Sequence, residues 1–154
     1  MRTQYEYRHL VTLADTNLVG NVYFTNYLAW QGACREHFLA QHAPSVVGRL
    51  TRDFALVTVS CSCEFFSELF AMDQVSIRMT LDSVVANRIT MNFDYYRLNL
   101  DPAQLVARGT QTIACMTRQA GQLMPADIPD ELASALNGYA SGRPPREHVA
   151  KASA

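Results

Sequence analysis

The chain of 154 residues is 49% apolar and 18% charged, with a formal net charge of -1. That composition describes one globular domain, long enough to bury an independent core, and argues against disorder. It leaves no electrostatic case for nucleic acid or an anionic membrane, and no apolar run approaches the roughly 18 residues that span a bilayer.

The opening "MRTQYEYRHL" has a mixed strand pattern rather than that of a signal peptide. "YEYRHLVTLADT" is β-rich with imperfect alternation and reads as a strand. Asn17 to Asn21 is a loop, with Gly20 and Asn21 suited to unusual backbone angles. In "VYFTNYLAWQGACREHFLAQHA", Tyr23, Tyr27, Trp30, Cys34 and Phe38 recur at helical spacing. Phe24, Leu28, Gln31, Arg35 and Leu39 form the neighbouring row. A helix apolar over so much of its circumference is largely buried, and Pro44 closes it.

"SVVGRLTRD" is a short connection with a helical alternative. Four strands follow: "FALVTVSCSCEFF", "DQVSIRMTLDSV", "NRITMNFDYYRL" and "QLVARGTQTIACMTR". "PDELASALNGY" reads as a short helix, with Pro129 at its start and Gly138 at its end. The expected architecture is therefore α+β: a five-stranded antiparallel sheet curled round one long central helix. The expected domain covers 1–140, with a flexible tail over 141–154.

Cys34, Cys61, Cys63 and Cys115 show no CxxC spacing and read as reduced core thiols of a cytoplasmic protein. No His/Cys cluster has ligand spacing, so neither a metal nor another cofactor is expected.

The element order and the stretch "DTNLVGNVYFTNYLAWQGACRE" resemble the hot-dog fold, in its 4-hydroxybenzoyl-CoA thioesterase-like branch. That branch often shows D-x-D-x-x-G-x-V-Y-H-x-x-Y followed by E-x-x-R on the helix. Asp15, Gly20, Val22, Tyr23, Tyr27 and Arg35 match. The second Asp is Asn17, the His is Phe24 and the helix Glu is Gly32, so every usual position for a carboxylate base is empty. Together with "VARGTQTIACM", the stretch is similar to the thioesterases of enediyne polyketide biosynthesis, over about residues 4 to 140. The resemblance implies hydrolysis of a β-ketoacyl polyene from an acyl carrier protein domain, with a β-keto acid product prone to lose CO2. It also implies a phosphopantetheine-linked substrate entering at a subunit interface, and a homotetramer built as a dimer of dimers.

Candidate residues follow from side-chain chemistry. Asn17 either stabilises its own turn or holds water or a carbonyl, since an amide cannot act as a base at neutral pH. Arg35 stays protonated and suits a developing negative oxygen; otherwise it is a paired structural cation. The first amides of the helix, around Tyr23 to Asn26, suit an oxyanion. Tyr27 either packs in the core or bonds the β-keto oxygen or water. Gly20, Tyr23 and Phe24 are expected to border the substrate. Thr58 is an ordinary strand residue or a support for Arg35. Glu36 and Glu64 are the only other carboxylates expected nearby; Glu36 reads as structural and Glu64 as the reserve base. Cys34 can meet His37 at i+3, but its place on the apolar stripe argues against a nucleophile.

The reading is a carrier-protein thioesterase that works through Arg35, Asn17 and helix amides without a catalytic carboxylate. A general acyl-CoA thioesterase and a non-catalytic acyl-carrier binding module are the alternatives. A dehydratase would need a proton-transferring pair that Phe24 removes.

Overall fold

The computed structural model describes residues 4–141; the expected tail lies, apart from Ser141, outside the described residues. Strand β1 (Tyr5–Leu10) stops earlier than its pattern suggested. Leu13–Asp15 turn into a 3-10 helix because the Thr12 N–H donates to Asp15 Oδ2 at 2.9 Å and draws the backbone round. Helix α1 (Thr25–His42) follows, then the short α2 (Pro44–Arg49). Pro44 stands at the start of α2, where its missing N–H has no cost. The helical alternative for this connection is the one realised.

Strands β2 (Phe54–Phe65), β3 (Gln74–Val85), β4 (Arg88–Arg97) and β5 (Gln104–Gln119) supply the rest of the expected sheet. The spatial order is β1-β3-β4-β5-β2, with antiparallel pairing throughout. A four-residue strand, β6 (Gln122–Pro125), lies beyond the expected five and folds back on β5. Its turn uses Gly121 at φ +77. Helix α3 (Asp130–Asn137) closes the domain, with Pro129 and Gly138 as its caps.

The sheet wraps α1. Tyr27, Trp30, Gln31, Cys34, Phe38 and Leu39 are the buried residues of that helix. They meet the inward row of β4, where Ile89, Met91, Phe93 and Tyr95 alternate with Thr90 and Asn92 as the strand period requires. Tyr23, expected on the helical stripe, precedes the helix and is 46% exposed. The thiol reading needs one correction: Cys34 and Cys115 are buried and Cys63 partly so, but Cys61 is exposed. Cys61 lies on β2, an edge strand of the main sheet order.

One irregularity decides which β2 residues face the helix. The β2–β5 register shifts between Thr58 and Ser60. Phe54, Leu56 and Thr58 pair with inward residues of β5 before the bulge; Cys61, Cys63 and Phe65 do so after it. The inward set therefore changes from even to odd numbers.

Candidate active site

The start of α1 is built on Asp15. Its carbonyl accepts from the Tyr23 N–H at 2.9 Å and from Asn26 Nδ2 at 2.8 Å. Its carboxylate meets His9 Nε2 at 2.9 Å. Burial alone would raise this carboxyl, but hydrogen bonds from Thr12 and His9 outweigh it and hold the pKa below the ordinary value. The amides of Asn26 and Tyr27 are also engaged, with Tyr23 O and Phe24 O. Of the amides from Tyr23 to Tyr27, only those of Phe24 and Thr25 make no backbone hydrogen bond, which narrows the expected oxyanion donors to two.

Asn17 lies in the loop before this helix. Its Oδ1 accepts from the Val19 N–H at 3.0 Å, and its carbonyl accepts from the Gly20 N–H at 3.0 Å. Gly20 takes φ +89, a conformation open to glycine, so the turn closes without strain. The turn-stabilising role of Asn17 is thus occupied by its oxygen, and Nδ2 is the group it can offer to a ligand.

Beside the helix start is a cavity of about 140 Å³. Val22, Phe24, Phe65 and Leu69 give it apolar walls, while Asn21, Tyr27, Ser67 and Glu68 bring polar groups. Two backbone links hold its sides together: Val22 N–H donates to Leu69 O at 2.8 Å, and Asn21 bridges to Phe70. Tyr27 is 3% exposed, and burial pushes its phenol up to about 12. It is a hydrogen-bond donor, not a phenolate, at neutral pH. Its ring stands edge-on to Phe65 at 4.9 Å, and its carbonyl takes the Tyr95 hydroxyl at 2.6 Å.

Arg35 stands about two turns further along α1, on the neighbouring row, about 12 Å from Tyr27 along the axis. Its Nη1 donates to Gln111 Oε1 at 3.0 Å and to Thr58 Oγ1 at 3.3 Å. The side chain is 16% exposed, and Glu36, 72% exposed, is 3.9 Å away. Burial lowers its pKa and Glu36 partly offsets this, yet a guanidinium stays charged. Its Nε is buried with no partner. Neutral groups hold Nη1 and the nearest carboxylate, Glu36, is exposed, so much of the charge is left unneutralised, an arrangement suited to an anionic oxygen. Thr58 and Gln111 fix where it points.

The thioesterase-like superfamily model matches residues 11–136. The chain belongs to the thioesterase-like superfamily. It is 52% identical to the dynemicin thioesterase, whose crystal structures record induced-fit and allosteric effects upon polyene binding. That likeness covers 90% of this chain and 98% of the other, with a TM-score of 0.87. It is 30% identical to a 1,4-dihydroxy-2-naphthoyl-CoA hydrolase of Synechocystis over 73% of this chain and 80% of the relative. A solved 1,4-dihydroxy-2-naphthoyl-CoA thioesterase from Synechocystis shares 26% identity and a TM-score of 0.77, covering 87% of this chain and 96% of that one. The fold is the hot-dog fold and the reaction class is thioester hydrolysis.

Within this thioesterase, the expected site residues other than Glu64 fall into three places. Arg35 and Thr58 are joined, with Gln111 as a third member. Tyr27 and Phe24 meet in the cavity, with Tyr23 against the Phe24 ring at 4.9 Å. Asn17 and Gly20 form the adjoining turn, and among the described residues no hydrogen bond links Asn17 to Arg35. Glu64 stands apart. The bulge puts it on the outer face, opposite Arg108 in the register and away from Thr58. Cys34 is fully buried, and burial pushes its thiol up to about 12, so it is not an available thiolate.

The expectation that Glu36 and Glu64 are the only further carboxylates nearby is corrected by Glu68, which lines the cavity. Nothing in the local pattern of "FFSELFAMD" marks it, because the fold brings this connection to the helix start. Gln111 did leave a signal: it occupies an inward position of β5 beside Ile113 and Cys115, where a polar side chain needs a partner.

Proposed function

We propose that this thioesterase hydrolyses a β-ketoacyl polyene thioester from the phosphopantetheine arm of an acyl carrier protein domain of an enediyne polyketide synthase. The observation that carries the reading is the likeness to the dynemicin thioesterase, 52% identical over 90% of this chain. As water attacks, the thioester carbonyl oxygen becomes negative. The amides at Phe24 and Thr25 stabilise such charge, and a preorganised donor of this kind contributes about 3 kcal/mol. The Arg35 cation, further along the helix, stabilises a negative β-keto or carboxylate oxygen of the substrate. Asn17 holds water or the substrate carbonyl through Nδ2, Tyr27 donates to the β-keto oxygen, and Gly20, Tyr23 and Phe24 border the acyl chain. Thr58 positions Arg35. No carboxylate stands on the Asn17 loop or at position 32. The released β-keto acid is prone to lose CO2. The working assembly is a homotetramer, a dimer of dimers.

A second reading, a general acyl-CoA thioesterase, draws on the likeness to 1,4-dihydroxy-2-naphthoyl-CoA hydrolases. One polyene β-ketoacyl group, presented on the carrier protein and on free CoA, separates the two. A kcat/KM at least about tenfold higher on the carrier protein supports the first reading. Equal or reversed preference supports the second. Binding of the loaded carrier protein without hydrolysis would leave an acyl-carrier binding module.

A further inference from the structure

We infer that Gln31 gates the acyl chain: its amide closes the passage from the cavity toward Arg35 and turns aside to admit a long, unbranched acyl group. The inference rests on the proposed carrier-bound substrate and deepens that reading. Gln31 stands on α1 four residues after Tyr27 and four before Arg35, so it adjoins both on the helix surface. The free amides of Phe24 and Thr25 lie on one side of it and the Arg35 cation on the other. One bound substrate reaches both only past this side chain.

The cavity beside Tyr27 holds about 140 Å³, against roughly 300 Å³ and more for sites that enclose a drug-sized ligand. It accommodates a thioester and its first carbons, not a long β-ketoacyl chain. Beyond it the inward positions of β5 are Ala107, Gly109 and Gln111, paired with the large Tyr95, Phe93 and Met91 of β4. The strip along β5 is thus lined by small or polar residues, and its filling comes from the helix: a methyl on Gly109 would collide with Gln31 Nε2. With that amide turned away, the space over Ala107 and Gly109 suits an unbranched chain.

The plug is complete but incompletely bonded. Gln31 is fully buried. Its Nε2 donates to Ser62 O at 2.9 Å, and the Tyr95 hydroxyl also accepts from its amide. Its Oε1 is buried with no partner, so the closed position lacks part of what a buried amide normally gains. Ser62 lies on β2, which ends the main sheet order and has a strand neighbour on one side only among the described residues. The wall to which Gln31 is latched can therefore give more readily than a central strand.

The test uses the full chain and a carrier protein that bears either an acetyl group or a long, unbranched β-ketoacyl group through an amide in place of the thioester, so binding is read without turnover. Acetyl ends inside the cavity. In Gln31→Ala the long group should bind about tenfold tighter than in the parent, while the acetyl form stays within about threefold. A merely structural Gln31 changes both alike. A crystal structure of the parent with the long group bound gives the second readout: the bond from Gln31 Nε2 to Ser62 O should be broken and the chain should lie over Gly109. Equal change for the two groups in a folded Gln31→Ala, or a bound chain that leaves that bond in place, overturns the gate. A parent that does not bind the long group overturns the proposed substrate and the gate with it. A parent that binds it with Gln31 turned aside, yet never hydrolyses the matching thioester, overturns the hydrolase reading while the gate stands.

Discussion

Arg35 on α1 donates to Gln111 on β5 at 3.0 Å, across 76 positions of sequence. The bond ties the central helix to the sheet next to the β2 bulge, and it sets the direction of a cation whose carboxylate neighbour, Glu36, is 3.9 Å away and largely exposed. Gln111→Leu keeps the volume and apolar character of the wall but releases Arg35. We expect kcat to fall by about tenfold while the charge remains. Steady-state kinetics beside a thermal melt check this: a stability loss without a kinetic one would make Gln111 structural only.

Arg35→Lys keeps the positive charge and loses the planar fork. Lys cannot donate to Gln111 and Thr58 while keeping a further donor in the same plane. The expected outcome is a kcat at least about tenfold below that of the parent, in a protein of near-parental melting temperature. Full activity in this variant would show that charge alone is needed.

Asn17 separates two functions on one side chain. Asn17→Asp keeps an acceptor for the Val19 N–H, so the turn should persist. Asn17→Ala removes it and should cost about 1 kcal/mol of stability. Both lose the Nδ2 donor, so both should lose activity to a similar extent. Loss confined to Asn17→Ala, measured as kcat against denaturation midpoint, would reduce Asn17 to a turn former.

Much of the fold is readable in the sequence because burial and period coincide. The α1 stripe at Tyr27, Trp30, Cys34 and Phe38 and the alternation of Ile89, Met91 and Phe93 both follow from which side of a regular element meets the core. Departures arise where geometry is set from a distance. Glu64 and Thr58 share a parity in sequence, yet the register shift at β2 turns them to opposite faces. Glu68 reaches the helix start only because Val22 and Leu69 pair. The strand β6 is too short and too exposed to leave a burial pattern. Arg35 and Thr58 come together, the second of the two readings open for Thr58, whereas Asn17 keeps to its own turn.

Cys34 should be dispensable for chemistry. Its pKa is raised by burial, so the folded state holds the neutral thiol. The stability this represents is fully present below the unfolded thiol value of about 8.5 and is lost as pH rises toward the folded value. Cys34→Ala should therefore keep kcat within about threefold and flatten the decline of stability between pH 9 and about 12. Chemical denaturation across that range tests the sign; abolished hydrolysis would revive a covalent route.

The most direct test of an electrostatic site is hydrolysis of a β-ketoacyl thioester on its carrier protein by the parent and by Arg35→Ala, each confirmed as folded. The account predicts turnover by the parent and a loss of about a hundredfold or more in the variant, carried by kcat. Parent-like turnover in Arg35→Ala would contradict it and move the charge-stabilising role away from the Arg35–Gln111 pair.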